Sequence, residues 1–421
     1  MTPTSPTSLP DGFLWGVATA GHQSEGDNVA SDTWFLEHTT PSLFREPSGP
    51  ACRGYQQWRT DLDVVAGLGL NAFRFSVEWA RVEPERGVVS TEALDHYERV
   101  VDGCLERGLA PIVTFNHFTA PHWFAAAGSW TAGDGPARFA EQCDRVMARF
   151  GDRIAYGVTL NEPNLEQLLQ AGGKLPAEAE TLKMQMLAAA ARAANTSTYA
   201  SANVIPADRQ DEFQEAFTHA HRAAREAIKA RRADLPVGVS IAIADEVAVP
   251  GGEERRDAKR AAVYDHWLRE ARHDDFIGVQ NYERIVHGPH GEVAVDGDLN
   301  GMGTAIAPGS LAGAVRYAHE ASGAPVLVTE HGIQTSNDAQ RAAFIPAAIQ
   351  GLAAEIDAGI PVLGYCHWTL MDNFEWIFGY GAQLGLCDVD RNTFQRRPKP
   401  SAKVYADVVR SYRDVLSGSR S

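Results

Sequence analysis

Seven of eight short apolar runs in this chain end in a polar or aromatic cluster, and that arrangement restricts the fold more than any other feature. The runs are Leu14–Val17, Ala72–Ser76, Pro111–Phe115, Tyr156–Leu160, Val237–Ile243, Phe276–Val279, Val326–Val328 and Val362–Tyr365. Helix-favouring stretches separate them, the pattern of successive parallel βα units. In Leu94–Arg107, for example, Leu94, Tyr97, Val100, Val101, Cys104 and Leu105 recur at helical spacing. Pro136–Phe150 reads as a second helix, and alanine-rich Ala177–Asn203 as part of a helical insertion after the fourth run. His290–Asn300 reads as a small hairpin on a long loop. No fixed-period repeat and no interior linker divides the 421 residues, so 1–421 reads as a single domain.

The clusters are Gln23–Glu25, Glu78–Trp79, Asn116–His117, Asn161–Glu162, Asn281–Tyr282, Glu330–His331 and His367–Trp368. A single (β/α)8 TIM barrel would gather them at the C-terminal mouth of its strands, where its active site belongs. Any other α/β topology would scatter them.

Charge narrows the partners. With 38 Lys and Arg against 54 Asp and Glu, the net charge of −16 disfavours nucleic acid and anionic membranes. The five cysteines are scattered without a CxxC pair, which indicates neither a disulfide framework nor a zinc site. MTPTSPTSLPDGF lacks the basic and apolar regions of a secretory signal, and no run of about 18 apolar residues exists to span a bilayer. The expectation is a cytoplasmic protein that takes a small molecule.

Two glutamates carry the chemistry. Glu162 ends an apolar run in TLNEP, and Glu330 ends another in VLVTEHG. A carboxylate at a strand end has rigid backbone behind it and open space before it. Two of them across one mouth suit glycosidic cleavage, which needs one protonated and one ionised carboxyl beside the anomeric carbon. His117 and His122 are a weak metal pair without a third clustered ligand, and no glycine-rich phosphate loop is present.

Over essentially its whole length the chain resembles glycoside hydrolase family 1, the β-glucosidase family. FLWGVATAGHQSEG, FRFSVEWARVEPERG, TFNHFTAPHW, TLNEP, VTEHG and HWTLMDNFEW match family segments in family order. The resemblance implies a retaining β-glycosidase that releases terminal non-reducing β-D-glucosyl residues, with β-D-galactosyl and β-D-fucosyl as alternatives. It implies Glu162 as acid/base, Glu330 as nucleophile, and Arg74 and Tyr282 as the nucleophile's supports. Asn161 would meet the sugar 2-hydroxyl. Gln23, His117, Glu375 and Trp376 would bind the other hydroxyls, and Trp368 would be the floor under the ring. No cofactor and no catalytic metal is implied. Glu375 argues against 6-phosphoglycosides, whose phosphate it would repel.

The chain also departs from the family pattern. His331 replaces the asparagine of TENG, and Gln280 replaces the asparagine of NYY, neither expected to touch a reacting atom. Asn164 and Thr304 stand where aglycone-side tryptophans are common, Phe118 follows His117 in place of another, and Gln383-Leu384 replaces Arg-Phe. Without flat stacking platforms, each contributing about 0.5–1.5 kcal/mol, the leaving-group side reads as suited to a bulky aglycone. Two rivals share the resemblance: a transglycosylase, in which an alcohol intercepts the covalent intermediate, and a catalytically silent sugar-binding protein.

Overall fold

The computed structural model describes residues 9–173, 177–295 and 297–418. Its centre is a closed barrel of eight parallel strands: β1 (Leu14–Ala18), β2 (Ala72–Ser76), β3 (Ala110–Asn116), β4 (Tyr156–Asn161), β5 (Val237–Ala242), β6 (Phe276–Asn281), β7 (Val326–His331) and β8 (Val362–Trp368). Each strand pairs with the next in sequence, and β8 closes on β1. All eight apolar runs are barrel strands. Most continue beyond the run into its polar cluster, because ladder hydrogen bonds rather than hydrophobicity decide where a strand stops.

Helices wrap the barrel: α1 (Gly54–Gly67), α2 (Thr91–Glu106), α3 (Gly135–Phe150), α4 (Gln210–Arg231), α5 (Glu253–Val263), α6 (Ser310–Ser322), α7 (Asp338–Asp357) and α8 (Pro400–Gly418). In α2 the Ser90 hydroxyl caps the first turn by accepting from Ala93 N at 3.1 Å. Its buried face carries Leu94, Tyr97, Val100, Val101 and Cys104, whereas Leu105 turns to solvent. Strand side chains alternate. Phe73 and Phe75 join the apolar layer under the helices, while Ala72 joins Leu14, Ile112, Val158, Phe276, Leu327 and Cys366 in a second cluster that fills the barrel.

The insertion after β4 is helical over Leu165–Ala171 and Ala177–Ala193 but not to Asn203. The hairpin turns earlier than its sequence suggests. Arg284–Gly288 pairs antiparallel with Gly291–Val293, and Asp245–Ala248 completes a small three-stranded sheet. Past Val293 the described residues return to loop, since Gly297 and the polar residues around it supply no alternating face. Among the described residues no helix is long and apolar enough to cross a membrane. All five cysteines are buried and free.

Candidate active site

Glu330 leaves the end of β7 into the mouth, 3% exposed, and three donors fix its carboxylate. Arg74 reaches Oε1 from β2 at 2.6 Å, and Gln280 reaches the same oxygen from β6 at 2.8 Å. Tyr282 donates its hydroxyl to Oε2 at 2.6 Å. Arg74 has no solvent-exposed side-chain surface. It is held by Thr114 Oγ1 at 3.0 Å, the Thr329 carbonyl at 3.2 Å and Asn161 Oδ1 at 2.6 Å. Burial raises the pKa of Glu330, and the Arg74 charge and the Tyr282 hydroxyl oppose that rise.

Glu162 follows β4 with φ of 45°, a left-handed conformation that costs a non-glycine residue about 1–3 kcal/mol. Its backbone N–H donates to the Ser240 carbonyl at 2.8 Å, which anchors the turn to β5. Among the described residues no cation pairs with its carboxyl. Burial first, and then the negative charge of Glu330, hold its pKa well above the ordinary carboxylate range. Two carboxyls therefore share one enclosed space under unequal pressures, both raised by burial but only Glu330 opposed by a paired guanidinium and hydroxyl. One is supplied with a guanidinium and two neutral donors, and the other is pushed towards the neutral acid. Their titrations belong to the pair, since each charge alters the other.

The rest of the mouth is a polar and aromatic wall. Gln23, in the turn after β1, donates to Glu375 Oε2 and to the Phe374 carbonyl, both at 3.0 Å. Burial and the charge of Glu330 push the Glu375 carboxyl up to about 8. His117 stacks on Trp368 at 5.6 Å and on Trp376 at 6.1 Å, both nearly parallel. Burial and nearby Arg74 hold its imidazole well below the usual histidine range, so it is neutral. Its Nε2 accepts from Asn161 Nδ2 at 3.3 Å, which leaves the proton on Nδ1. That nitrogen and Gln23 Oε1 are buried without a protein partner, a donor and an acceptor free for a ligand's hydroxyls.

Arg74, Glu162, Asn161, Glu330, Tyr282, Gln23, His117, Trp368, Glu375 and Trp376 thus come together at one end of the barrel. Gln280 must be added, correcting the expectation that its change touches no reacting atom. Its amide bridges Glu330 and Asn161 Oδ1, the latter at 2.7 Å. His331 does remain apart, stacked on Phe344 and hydrogen-bonded with Tyr365. His122 bonds with the Tyr199 hydroxyl at 2.9 Å, and among the described residues no group of three or more His, Cys, Asp or Glu is placed to hold a metal ion.

Asn164 also needs correction. Its side chain is fully buried, with Oδ1 accepting from Ala242 N at 3.0 Å and Nδ2 donating to Ala242 O at 2.8 Å. It clamps β5 and does not line a leaving-group site. Thr304 sits on the loop after β6, its hydroxyl taken by Asn300 Nδ2 at 2.6 Å, and Leu384 packs in the barrel-filling cluster with Trp368. Asn164→Trp accordingly costs stability instead of restoring a platform. Overpacking and the lost clamp together amount to about 2–4 kcal/mol, read as a lower thermal midpoint with no gain in KM for aryl glucosides. A lower KM at an unchanged midpoint would show that the side chain faces the mouth after all.

Comparison with known proteins agrees with this geometry. The family model Glycosyl hydrolase family 1 matches residues 5–287 and 290–413. Beta-glucosidase A of Thermotoga maritima is 29% identical over 442 residues, spanning 96% of this chain and 98% of that protein. Thermostable beta-glucosidase B of Thermobispora bispora is 30% identical, spanning 96% of this chain and 91% of its own. Among solved structures, beta-glycosidase BGL167 superposes with a TM-score of 0.90 at 46% identity, covering 96% and 97% of the two chains. The beta-glucosidase from Thermotoga maritima in complex with deoxynojirimycin gives 0.82 at 25% identity, covering 96% and 99%.

Proposed function

Because this chain belongs to glycosyl hydrolase family 1, we propose that its barrel mouth performs the family's double displacement with Glu330 as nucleophile and Glu162 as acid/base. The chain is a retaining β-glycosidase of the β-glucosidase type. Its substrate is a small glycoside. The observation that carries the residue assignment is the unequal treatment of the two carboxyls: Arg74, Gln280 and Tyr282 surround Glu330, and no cation pairs with Glu162 among the described residues.

In the first half-reaction Glu330 attacks the anomeric carbon while Glu162 delivers its proton to the departing oxygen. The glycosyl ester that forms takes the negative charge off Glu330, and the charge on Glu162 replaces it in the pocket. In the second half-reaction Glu162 takes a proton from water, which attacks the same carbon and frees Glu330. Asn161 is held on one side by Arg74 and Gln280 and on another by His117, a fixed position from which to meet the 2-hydroxyl. Preorganised contacts of this kind need no rearrangement as the transition state forms.

The wall of Gln23, His117, Trp376 and Glu375 supports a terminal glucosyl unit, with Trp368 beneath the ring. Glu375 stands against a 6-phosphate on the glycone. Asn164 and Leu384 are buried away from the leaving group and Thr304 is small, so none of the three offers it a flat face. The pairing of the first and last strands supports one catalytic domain over the whole chain. Five buried thiols without a disulfide are compatible with the cytoplasm. Proton NMR of early hydrolysis of an aryl β-D-glucoside tests the mechanism: β-glucose appears first and mutarotates to α. First release of α-glucose would sink the double displacement.

A further inference from the structure

Glu78 is a buried carboxylate that no step of this chemistry uses. It follows β2 in one of the polar clusters of the sequence and is 2% exposed. Three donors converge on it. Ser76 Oγ reaches Oε1 at 3.0 Å, while Asn28 Nδ2 at 2.8 Å and Thr119 Oγ1 at 2.6 Å reach Oε2.

Each donor belongs to a different part of the mouth. Ser76 is on β2, and its hydroxyl accepts from Gly21 N, at the start of the turn after β1, at 2.7 Å. Asn28 closes that same turn and also donates to His22 Nδ1 at 3.4 Å. Thr119 lies in the turn after β3, where its N–H donates to the His117 carbonyl at 2.8 Å. The first turn presses so closely on Glu78 that a Cβ on Gly21 would stand 2.4 Å from Glu78 Cγ. The backbone N–H of Glu78 donates to Tyr97 OH at 3.1 Å, which fixes the junction against α2.

Two residues of the sugar wall, Gln23 and His117, sit on these turns, and Trp376 and Glu375 contact them. Trp376 is parallel to two imidazoles, to His22 within 5° at 5.7 Å and to His117 within 11° at 6.1 Å. Gln23 is the residue after His22 and holds Glu375. An apolar side chain would serve stability at least as well as a desolvated carboxylate. What the carboxylate adds is geometry. It only accepts, so three donors must come to it and stay.

We propose that Glu78 is the positioning residue of the sugar-binding wall, a staple joining the β1 turn that presents His22 and Gln23 to the β3 turn that presents His117. This rests on the sugar-binding roles proposed for Gln23, His117 and Trp376. Glu78 acts through those residues, not on the sugar.

The test compares Glu78→Ala, Glu78→Gln, Thr119→Val and Glu246→Ala by glucose affinity in calorimetry, kcat and KM on an aryl β-D-glucoside, and thermal midpoint. Glu246 is a control of equal burial in the small outer sheet, hydrogen-bonded with Tyr264 and His287 and ion-paired with Lys259. Glu78→Ala weakens glucose binding and raises KM about tenfold or more, with a several-fold smaller change in kcat. Glu78→Gln recovers part of the loss, because one carbonyl oxygen still accepts. Thr119→Val, nearly isosteric and safe for folding, weakens glucose about threefold. Glu246→Ala lowers the midpoint and leaves glucose affinity alone. The proposal fails if Thr119→Val and Glu78→Gln bind glucose like the wild type, or if Glu246→Ala weakens binding as much as Glu78→Ala. A wild-type chain that binds glucose without turning over glucosides sinks the hydrolase reading, and the variants' affinities still judge Glu78. A wild-type chain that binds no glucose sinks both.

Discussion

Glu330→Ala stops hydrolysis of every glycoside, with kcat down about 10⁵-fold or more, and sodium azide or formate restores part of it. The restored reaction has the opposite stereochemistry. With the carboxylate gone, a small anion fits the emptied space and attacks the anomeric carbon once, while Glu162 still protonates the leaving oxygen, so a β-glucoside gives the α-glucosyl azide. The product is identified by NMR, and a β-azide from this variant would remove Glu330 from its role. The substitution also leaves Arg74 buried without its anion. That loss costs about 3–5 kcal/mol for a pair as enclosed as this one. The thermal midpoint therefore falls as well, and activity must be compared where both proteins are folded.

Glu162→Ala separates substrates by leaving group. Glycosides whose aglycone needs a proton lose about 10²–10⁴-fold in kcat/KM, whereas dinitrophenyl glucosides still glycosylate Glu330 and the glycosyl-enzyme accumulates. Azide then attacks that intermediate and gives the β-glucosyl azide, the mirror outcome of the nucleophile variant. The pH profile changes too. Glu162 works as the protonated acid, and burial with the charge of Glu330 raises its pKa. Wild-type kcat/KM is accordingly kept below that raised pKa and lost as pH climbs through it, and the variant lacks this alkaline limb. An alkaline limb that survived the substitution would assign the proton to another group.

The barrel was legible because parallel strands are buried on both faces and read as unbroken apolar runs. The candidate site was legible for a related reason: a polar residue at the end of such a run has to face the mouth or a partner. Directions beyond the strand ends were not. Glu162 takes φ of 45°, and the turn it makes points Asn164 at the Ala242 backbone instead of the mouth. The sequence displayed the substitution and could not display the direction. Gln280 is a question of reach, since only coordinates place its amide within 2.8 Å of Glu330 and 2.7 Å of Asn161. Glu78 was visible as a polar strand end, but its partners Asn28 and Thr119 lie 50 and 41 residues away along the chain. No local pattern connects them.

The pairing of β1 with β8 also bears on how the chain is made. It joins Leu14–Ala18 to Gly364–Trp368, and the Gln23–Glu375 hydrogen bond closes a loop of 352 residues. A growing chain on the ribosome therefore carries its first strand unpaired on one side until nearly all the rest has been synthesised, and every shorter length ends in two open strand edges. The helices can form early, whereas closure waits for the last strand and bears the loop entropy of a contact spanning most of the chain. The sugar wall is completed by the same late event, since Gln23 follows β1 and His117 follows β3, whereas Trp368, Glu375 and Trp376 come with the end of β8 and the segment after it. A nascent chain released before its eighth strand has most of its residues, two edges open to other chains, and no place to hold a sugar.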